Sequence, residues 1–296
     1  MFRTKVSGPW PRSFAKRHPV SVGKALLVIG SLTIVTMAAV AVWGGPILPM
    51  PGLIGVGALY FALLAWGSLS PRLEMYGDVL WFWPSAIGKV ALTFDDGPDP
   101  VATPIVLDLL ARHGARATFF TLGSRALAHP ELLVRMVNEG HTIGLHSYDH
   151  NRLYAFLRPD EVQADIERCR RIVEDACGVR AVWFRPPVGQ MSPRTAAGVR
   201  RAGAETVGWS ARGRDGLART TALGVIQRLT PALKSGAILL LHDAWERSPG
   251  ASTPPAGVLA LPQLLDLLAE RNLQAVTVDE LILANGSVTT NRAPGE

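Results

Sequence analysis

Residues 89–98 read KVALTFDDGP, an apolar run that stops at two adjacent carboxylates, Asp95 and Asp96, followed by a Gly-Pro turn. A short apolar run bounded by turn residues reads as a strand buried on both faces, the habit of a parallel sheet. Similar runs recur at 117–121 (ATFFT), 142–146 (TIGLH), 181–185 (AVWFR), 205–209 (ETVGW), 237–242 (AILLLH) and 274–278 (QAVTV). Between them, helical periodicity spans about 101–113, 125–139, 159–176, 192–202, 220–235 and 257–271. Gly114, Gly140, Gly178, Gly203 and Gly236 stand where helices should close. Seven strands, each of the first six followed by a helix, predict an α/β domain over 88–283, a distorted (β/α)7 barrel with its sheet closed or nearly so.

Upstream the character changes. From Ala25 to Pro71 the chain carries no charge over 47 residues. One helix of that length would run about 70 Å, against a hydrocarbon core of about 30 Å. Gly44-Gly45-Pro46, Pro49 and Pro51 supply the break, leaving apolar segments near 25–43 and 50–69. Two transmembrane helices in a hairpin are therefore expected over 25–71. A connector follows at 72–87, and a loose tail is expected after 284. A cleaved signal peptide fits less well, because 24 residues precede the apolar stretch and the stretch has two lobes.

The net charge of +6 also has an address. Arg3, Lys5, Arg12, Lys16, Arg17 and Lys24 precede residue 25 with no acid among them, so the remainder balances at 24 basic against 24 acidic residues. A basic tail of 1–24 beside an apolar span is a topology signal rather than a nucleic-acid arm. It places the tail in the cytoplasm and, after two crossings, the α/β domain as well, making the chain a multi-pass protein of the cell (inner) membrane. A re-entrant second segment would place the domain outside instead. Cys169 and Cys177 lie on one expected helix, about 12 Å apart in rise, too far for a disulfide.

The strand ends collect polar groups that an apolar core would not hold alone. They carry Asp95-Asp96, then His146 to His150 (HSYDH), Arg185 with Val188 beyond it (RPPVG), Trp209 followed by Asp215, and Leu240 with His242-Asp243. Singly, each has an ordinary explanation: a turn, a satisfied core histidine, an ion-pair partner. Gathered at the mouth of one sheet, where strand-end loops converge, they point to an enzyme. His-x-x-x-His puts two imidazoles on one side of a helical turn, and with a carboxylate they suit a divalent metal. Zn is expected first, with Co, Mn or Ni as alternatives. Three ligands leave room for water and substrate, which suits amide or ester hydrolysis. If the strand continues through both acids, Asp95 and Asp96 diverge and take different roles.

TFDDGP, HSYDH, RPPVG, the Trp209 to Asp215 segment and LLHD occur in the order of the polysaccharide deacetylases, and the chain resembles that family (NodB-homology domain, carbohydrate esterase family 4) over about 88–283. The resemblance implies a metal triad of Asp96, His146 and His150, with Asp95 as general base and Arg185 orienting it. It further implies His242 as general acid supported by Asp215, a backbone donor at Val188, and an acetyl pocket walled by Trp209 and Leu240. Two positions depart from the family pattern. Val188 stands where a tyrosine is common, and Gly216 where an aromatic usually follows the aspartate. Both thin the aromatic lining and bear on substrate preference.

The function so implied is removal of N-acetyl groups from N-acetylhexosamine units of a polysaccharide, an oligosaccharide or a lipid-linked sugar. The expected partners are such a glycan and the membrane, with no nucleic acid. Deformylation of a lipid-linked amino sugar, or hydrolysis of a non-sugar amide, would use the same residues. A catalytically silent, membrane-tethered glycan-binding domain is disfavoured, since Asp95, Asp96, His146, His150 and His242 are all present.

Overall fold

A computed structural model of the chain describes residues 21–44, 49–217, 219–248 and 250–283. The chain divides after Asp78 into two units. Most of the basic tail, the Gly45-Pro46 break and the tail after 284 lie outside the described residues.

In the first unit the apolar stretch forms α1 (Val22–Val42) and α2 (Met50–Leu69). Ser21 caps α1, its hydroxyl accepting from the Lys24 N–H at 3.2 Å. Pro51 falls in the first turn of α2, where its missing N–H costs nothing. The helices meet where Gly30 faces the Tyr60 ring, so closely that a Cβ would lie 2.9 Å from it. At the next residue, the Ser31 and Tyr60 hydroxyls bond at 2.7 Å. Both helices are long and apolar enough to cross a membrane, and neither buries its side chains in a protein core as a soluble core helix would.

The second unit contains β1 (Lys89–Asp95), α3 (Ala102–Arg112), β2 (Thr118–Thr121), α4 (Gly123–Ala128), α5 (Pro130–Asn138) and β3 (Thr142–Leu145). Then come α6 (Pro159–Cys177), β4 (Trp183–Phe184), α7 (Pro193–Arg201), β5 (Glu205–Thr206), β6 (Ala211–Arg212), α8 (Ala222–Leu229), β7 (Ile238–His242), α9 (Ala256–Glu270), β8 (Gln274–Val276) and α10 (Val278–Leu283). The sheet is parallel, in the order β5-β4-β3-β2-β1-β7-β6, with β8 pairing the start of β1. The helix-closing glycines all take the left-handed conformation, φ between 59° and 83°.

Two expectations need correction here. The helix expected over 125–139 is two, because Pro130 lacks the N–H needed inside a helix and starts α5 instead. The single strand expected at 205–209 is split. Its start pairs β4 as β5, and an additional strand, β6, follows and pairs β7. No helix separates these two outermost strands of the sheet, so residues 207–210 carry the chain directly from one edge to the other and bring the edges together. Residues 80–82, read from sequence as connector, line this seam: Leu80 bridges Val207 and Phe82 bridges Ala237. The two ends of the sheet are thus joined through residues 207–210 and the added segment 80–82 rather than by a regular strand pair.

Strand alternation sorts the side chains into two sets. Leu92, Phe94, Phe119, Leu145, Phe184, Leu239 and Leu241 belong to the main apolar core, with α3, α6, α8 and α9 packed over it. The alternate positions, Thr93, Asp95, Phe120, Arg185, Leu240 and His242, lie on the other side of the sheet. Polar groups therefore concentrate there without interrupting the core.

Candidate active site

Register places the first pieces. In the β1–β7 pair, Thr93 lies opposite Leu240 and Asp95 opposite His242. Leu240 and His242 share a face, as their spacing predicts. At the end of β1 the backbone leaves the strand: Asp96 takes φ 74°. The two acids therefore do not continue one strand and do not diverge as expected. The left-handed turn brings both to His146, with Asp95 Oδ2 3.8 Å and Asp96 Oδ1 3.6 Å from its Nε2.

The segment from His146 to His150 is likewise not helical. Ser147 and His150 have φ of 67° and 56°, so a loop rather than a helical turn joins the two imidazoles. The loop is pinned at both ends, with Gly123 N–H donating to Ser147 O and His150 N–H to Ser147 Oγ. The result still converges: ligand atoms of Asp96, His146 and His150 all lie within 4.8 Å of one another.

These three fit a divalent cation on their own chemistry. Asp96 Oδ1 is buried and accepts no hydrogen bond, an expensive state for a carboxylate oxygen unless a cation completes it. His146 Nδ1 lies 2.7 Å from the Arg185 carbonyl, which fixes the proton there and leaves the Nε2 lone pair toward Asp96. Burial pushes the His146 pKa down, holding the imidazole in its neutral, ligating form. His150 has Nε2 3.7 Å from Asp96 Oδ1 and Nδ1 3.1 Å from Glu246 Oε1.

Asp95 is held by Arg185, whose Nη1 donates to Oδ1 at 2.6 Å and to Thr93 Oγ1 at 2.9 Å. Nη2 and Nε donate to the Gly208 and Val207 carbonyls, and the guanidinium lies 4.0 Å from the Phe120 ring centroid. Burial pushes the Arg185 pKa down while Asp95 opposes the shift. The carbonyls used belong to the run between β5 and β6, so the seam of the barrel supplies the anchor for Asp95.

His242 is tied to Asp215 twice, through its backbone N–H at 2.7 Å and its Nδ1 at 3.0 Å. Burial lowers the imidazole pKa, but Asp215, with Asp96 and Asp95 beyond it, outweighs burial and raises it to about 10. Asp215 is wholly buried, and Gly257 makes room for it: a Cβ there would meet Oδ2 at 2.1 Å. The last acid of the LLHD motif, Asp243, points elsewhere and accepts from Thr103 Oγ1 at 2.6 Å.

Val188 has φ 58° and ψ 2°, a conformation rarely adopted by a β-branched residue. The backbone bonds of its turn run from Gly189 to Pro186 and from Gln190 to Pro187, and neither uses the Val188 N–H. The benzo edge of the Trp209 indole abuts Gly189, where a Cβ would meet the ring at 2.2 Å. Asp95, Asp96, His146, His150, Val188, Trp209, Leu240 and His242 line one cleft of about 430 Å³. Arg185 and Asp215 lie behind the wall, both fully buried. The ten residues to which the family resemblance assigns roles thus come together, eight on the cleft wall and two behind it.

Sequence reasoning passed over several others. Glu246 faces His150 and is gripped by Arg152, whose Nε donates to Oε1 at 2.7 Å and whose Nη2 bonds Oε2. The Arg152 contact, more than any other, holds the Glu246 carboxyl down at about 2. Arg125 donates to the Asp96 carbonyl at 2.8 Å and to the Trp245 carbonyl at 2.6 Å, joining the two loops that meet at the triad. Arg212 and Arg214 stand on the cleft wall as well. The only signal for Glu246 was an acid four residues beyond His242 in a loop, too common to single out.

A polysaccharide deacetylase family profile matches residues 84–207. A peptidoglycan-N-acetylglucosamine deacetylase of Bacillus cereus is 37% identical over 217 residues, 72% of this chain and 97% of that protein. A chitooligosaccharide deacetylase of Bradyrhizobium is 36% identical over 212 residues, 70% of this chain and 94% of that one. Among solved structures, the peptidoglycan deacetylase PdaC of Bacillus subtilis superposes with a TM-score of 0.60 at 30% identity, over 68% of this chain and 93% of that one.

Proposed function

The chain belongs to the polysaccharide deacetylase family, and from that membership we propose that it is a metal-dependent hydrolase removing acetyl groups from N-acetylhexosamine units of a glycan or lipid-linked sugar. The observation that carries the metal dependence is the buried Asp96 Oδ1, without a hydrogen bond and 3.6 and 3.7 Å from two imidazole Nε2 atoms. Asp96, His146 and His150 would hold the ion, zinc first and cobalt, manganese or nickel next, which when bound supplies Lewis acidity to the amide carbonyl and the attacking water.

The chain's own groups complete the reaction. Asp95 Oδ1 is committed to Arg185, leaving Oδ2 to take the proton as water adds to the amide carbon. The Val188 N–H donates to the carbonyl oxygen as negative charge develops there. His242 is anchored through Nδ1 and gives a proton from Nε2 to the departing nitrogen, so the amide and water become an amine and acetate. Trp209 and Leu240 wall the acetyl methyl, and the cleft suits a sugar unit rather than a buried small ligand.

The proposal extends to location. α1 and α2 form a membrane hairpin, and the basic tail holds both termini in the cytoplasm. On that side the substrate is a lipid-linked or soluble precursor rather than finished wall polymer. Acetate release by the purified full chain from N-acetylated oligosaccharides, abolished by Asp95→Asn and by chelation, tests the chemistry. A compartment-specific reporter fused after residue 286 tests the topology, and a periplasmic signal would refute the cytoplasmic placement.

A further inference from the structure

Two charged side chains on the cleft wall have no part in the chemistry above. Arg212 ends β6, and Arg214 lies two residues on; both are exposed and both line the cleft. The acids on the same wall are engaged. Asp95 is bound by Arg185, Glu246 by Arg152 and beside His150, and Asp96 faces the two imidazoles. Among the described residues neither Arg212 nor Arg214 has an ion pair or a side-chain hydrogen bond. They act on each other instead: partial burial and then the Arg214 charge push the Arg212 pKa down.

A solvated rim is the ordinary fate of exposed arginines, but these two are built into the wall. Arg214 takes φ 56°, a conformation disfavoured for any residue with a side chain. Its carbonyl is held by the Thr220 hydroxyl at 2.7 Å. Gly213, between the pair, has no room for a side chain, since a Cβ would meet Leu241 at 2.9 Å and Val225 at 3.0 Å. Asp215, next in sequence, is buried and bonded to His242. The turn that anchors His242 therefore also presents two like charges into a concave site. Guanidinium forks pair with carboxylate or phosphate oxygens.

We propose that Arg212 and Arg214 form an anion subsite of the cleft, so that the N-acetylated sugar bound there carries a carboxylate or phosphate substituent. This deepens the deacetylase reading and rests on it. The substituent lies on the β6 side of the cleft, near His242, and is either a carboxylate ether-linked to the ring or a phosphate on the anomeric carbon.

Calorimetry on the full chain in detergent micelles, with N-acetylglucosamine, N-acetylmuramic acid and N-acetylglucosamine 1-phosphate, separates the possibilities. At least one anionic sugar should bind about tenfold or more tightly than the neutral one, as charged hydrogen bonds provide. In R212Q/R214Q the advantage should shrink to within about twofold. Which anionic sugar gains identifies the substituent. Equal binding of all three, no binding of either anionic sugar, or an advantage surviving in the double variant would overturn the subsite. Acetate release from a neutral chitooligosaccharide, measured in parallel, reports on the deacetylase reading separately, because binding is read without turnover.

Discussion

Asp95 and His242 are register partners on adjacent parallel strands, β1 and β7, so the proposed base and the proposed acid are set side by side by backbone pairing. Adjacent parallel strands lie about 4.8 Å apart, close enough for each charge to act on the other. The Asp95 carboxylate helps raise the His242 pKa, and the Arg185 hydrogen bond to Oδ1 fixes it in place. The two roles are therefore coupled electrostatically as well as by position.

The coupling has a pH signature. His242 is raised to about 10 in the folded chain from an ordinary value near 6.5, against the effect of burial and chiefly by Asp215. Its stabilisation is thus fully present below about pH 6.5 and disappears as pH rises through 10. As an acid, the imidazole stays protonated over the same range. Asp215→Asn should move the alkaline limb of the rate profile toward neutrality and weaken the chain's stability most below about pH 6.5, the loss fading as pH rises through 10. An alkaline limb unmoved in this variant would show that His242 is not the titrating acid.

The proposed metal triad makes separate predictions for its ligands and their support. Asp96→Ala and His146→Ala should both lose the bound ion, measured as metal content after dialysis. Glu246→Gln leaves every ligand in place but weakens the carboxylate beside His150 Nδ1. Its affinity for zinc should fall by about 10- to 100-fold in chelator competition. Wild-type affinity in Glu246→Gln would mean that Glu246 serves only the Arg152 contact.

Arg185 is buried together with Asp95, and removing one partner leaves the other charged and desolvated. Arg185→Ala should cost about 3–5 kcal/mol of stability, read from urea unfolding, besides lowering activity. Asp95→Asn should abolish turnover while retaining metal, since Asp96, His146 and His150 are untouched. An active Asp95→Asn enzyme would remove Asp95 as the base.

Val188 bears strain that glycine would release. A left-handed φ of 58° in a β-branched residue that is half exposed gains little from burial to offset it. Val188→Gly should raise stability by about 1 kcal/mol, net of the entropy glycine loses on folding. The corresponding rise in Tm is about 2–4 °C. A lower Tm would show that the valine side chain contributes more than its backbone costs.

The sequence alone determined a good deal of this protein. Apolar runs ended by charge fix strands and their carboxyl ends, because a buried polar group must sit where the strand meets a cleft. Helix-closing glycines fix boundaries, since the left-handed residue there tolerates no Cβ without cost. The uncharged stretch from Ala25 to Pro71 announces its two apolar helices by length alone. Motif positions single out ten residues, of which eight line one cleft while Arg185 and Asp215 stand behind its wall.

Tertiary structure decided what local pattern cannot encode. Asp96 and His150 reach the triad through left-handed backbone, where strand and helix periodicities would have sent them elsewhere. The run at 205–209 reads as one strand, yet only its start pairs, with β4, and the pairing with β7 is made by residues 211–212 beyond it, because strand partners are set by tertiary context rather than local β propensity. Glu246, Arg125, Arg212 and Arg214 are ordinary charged residues in the sequence. Only their neighbours distinguish them: a charge becomes a support, a clamp or an anion site according to which partners folding brings near it and which it withholds.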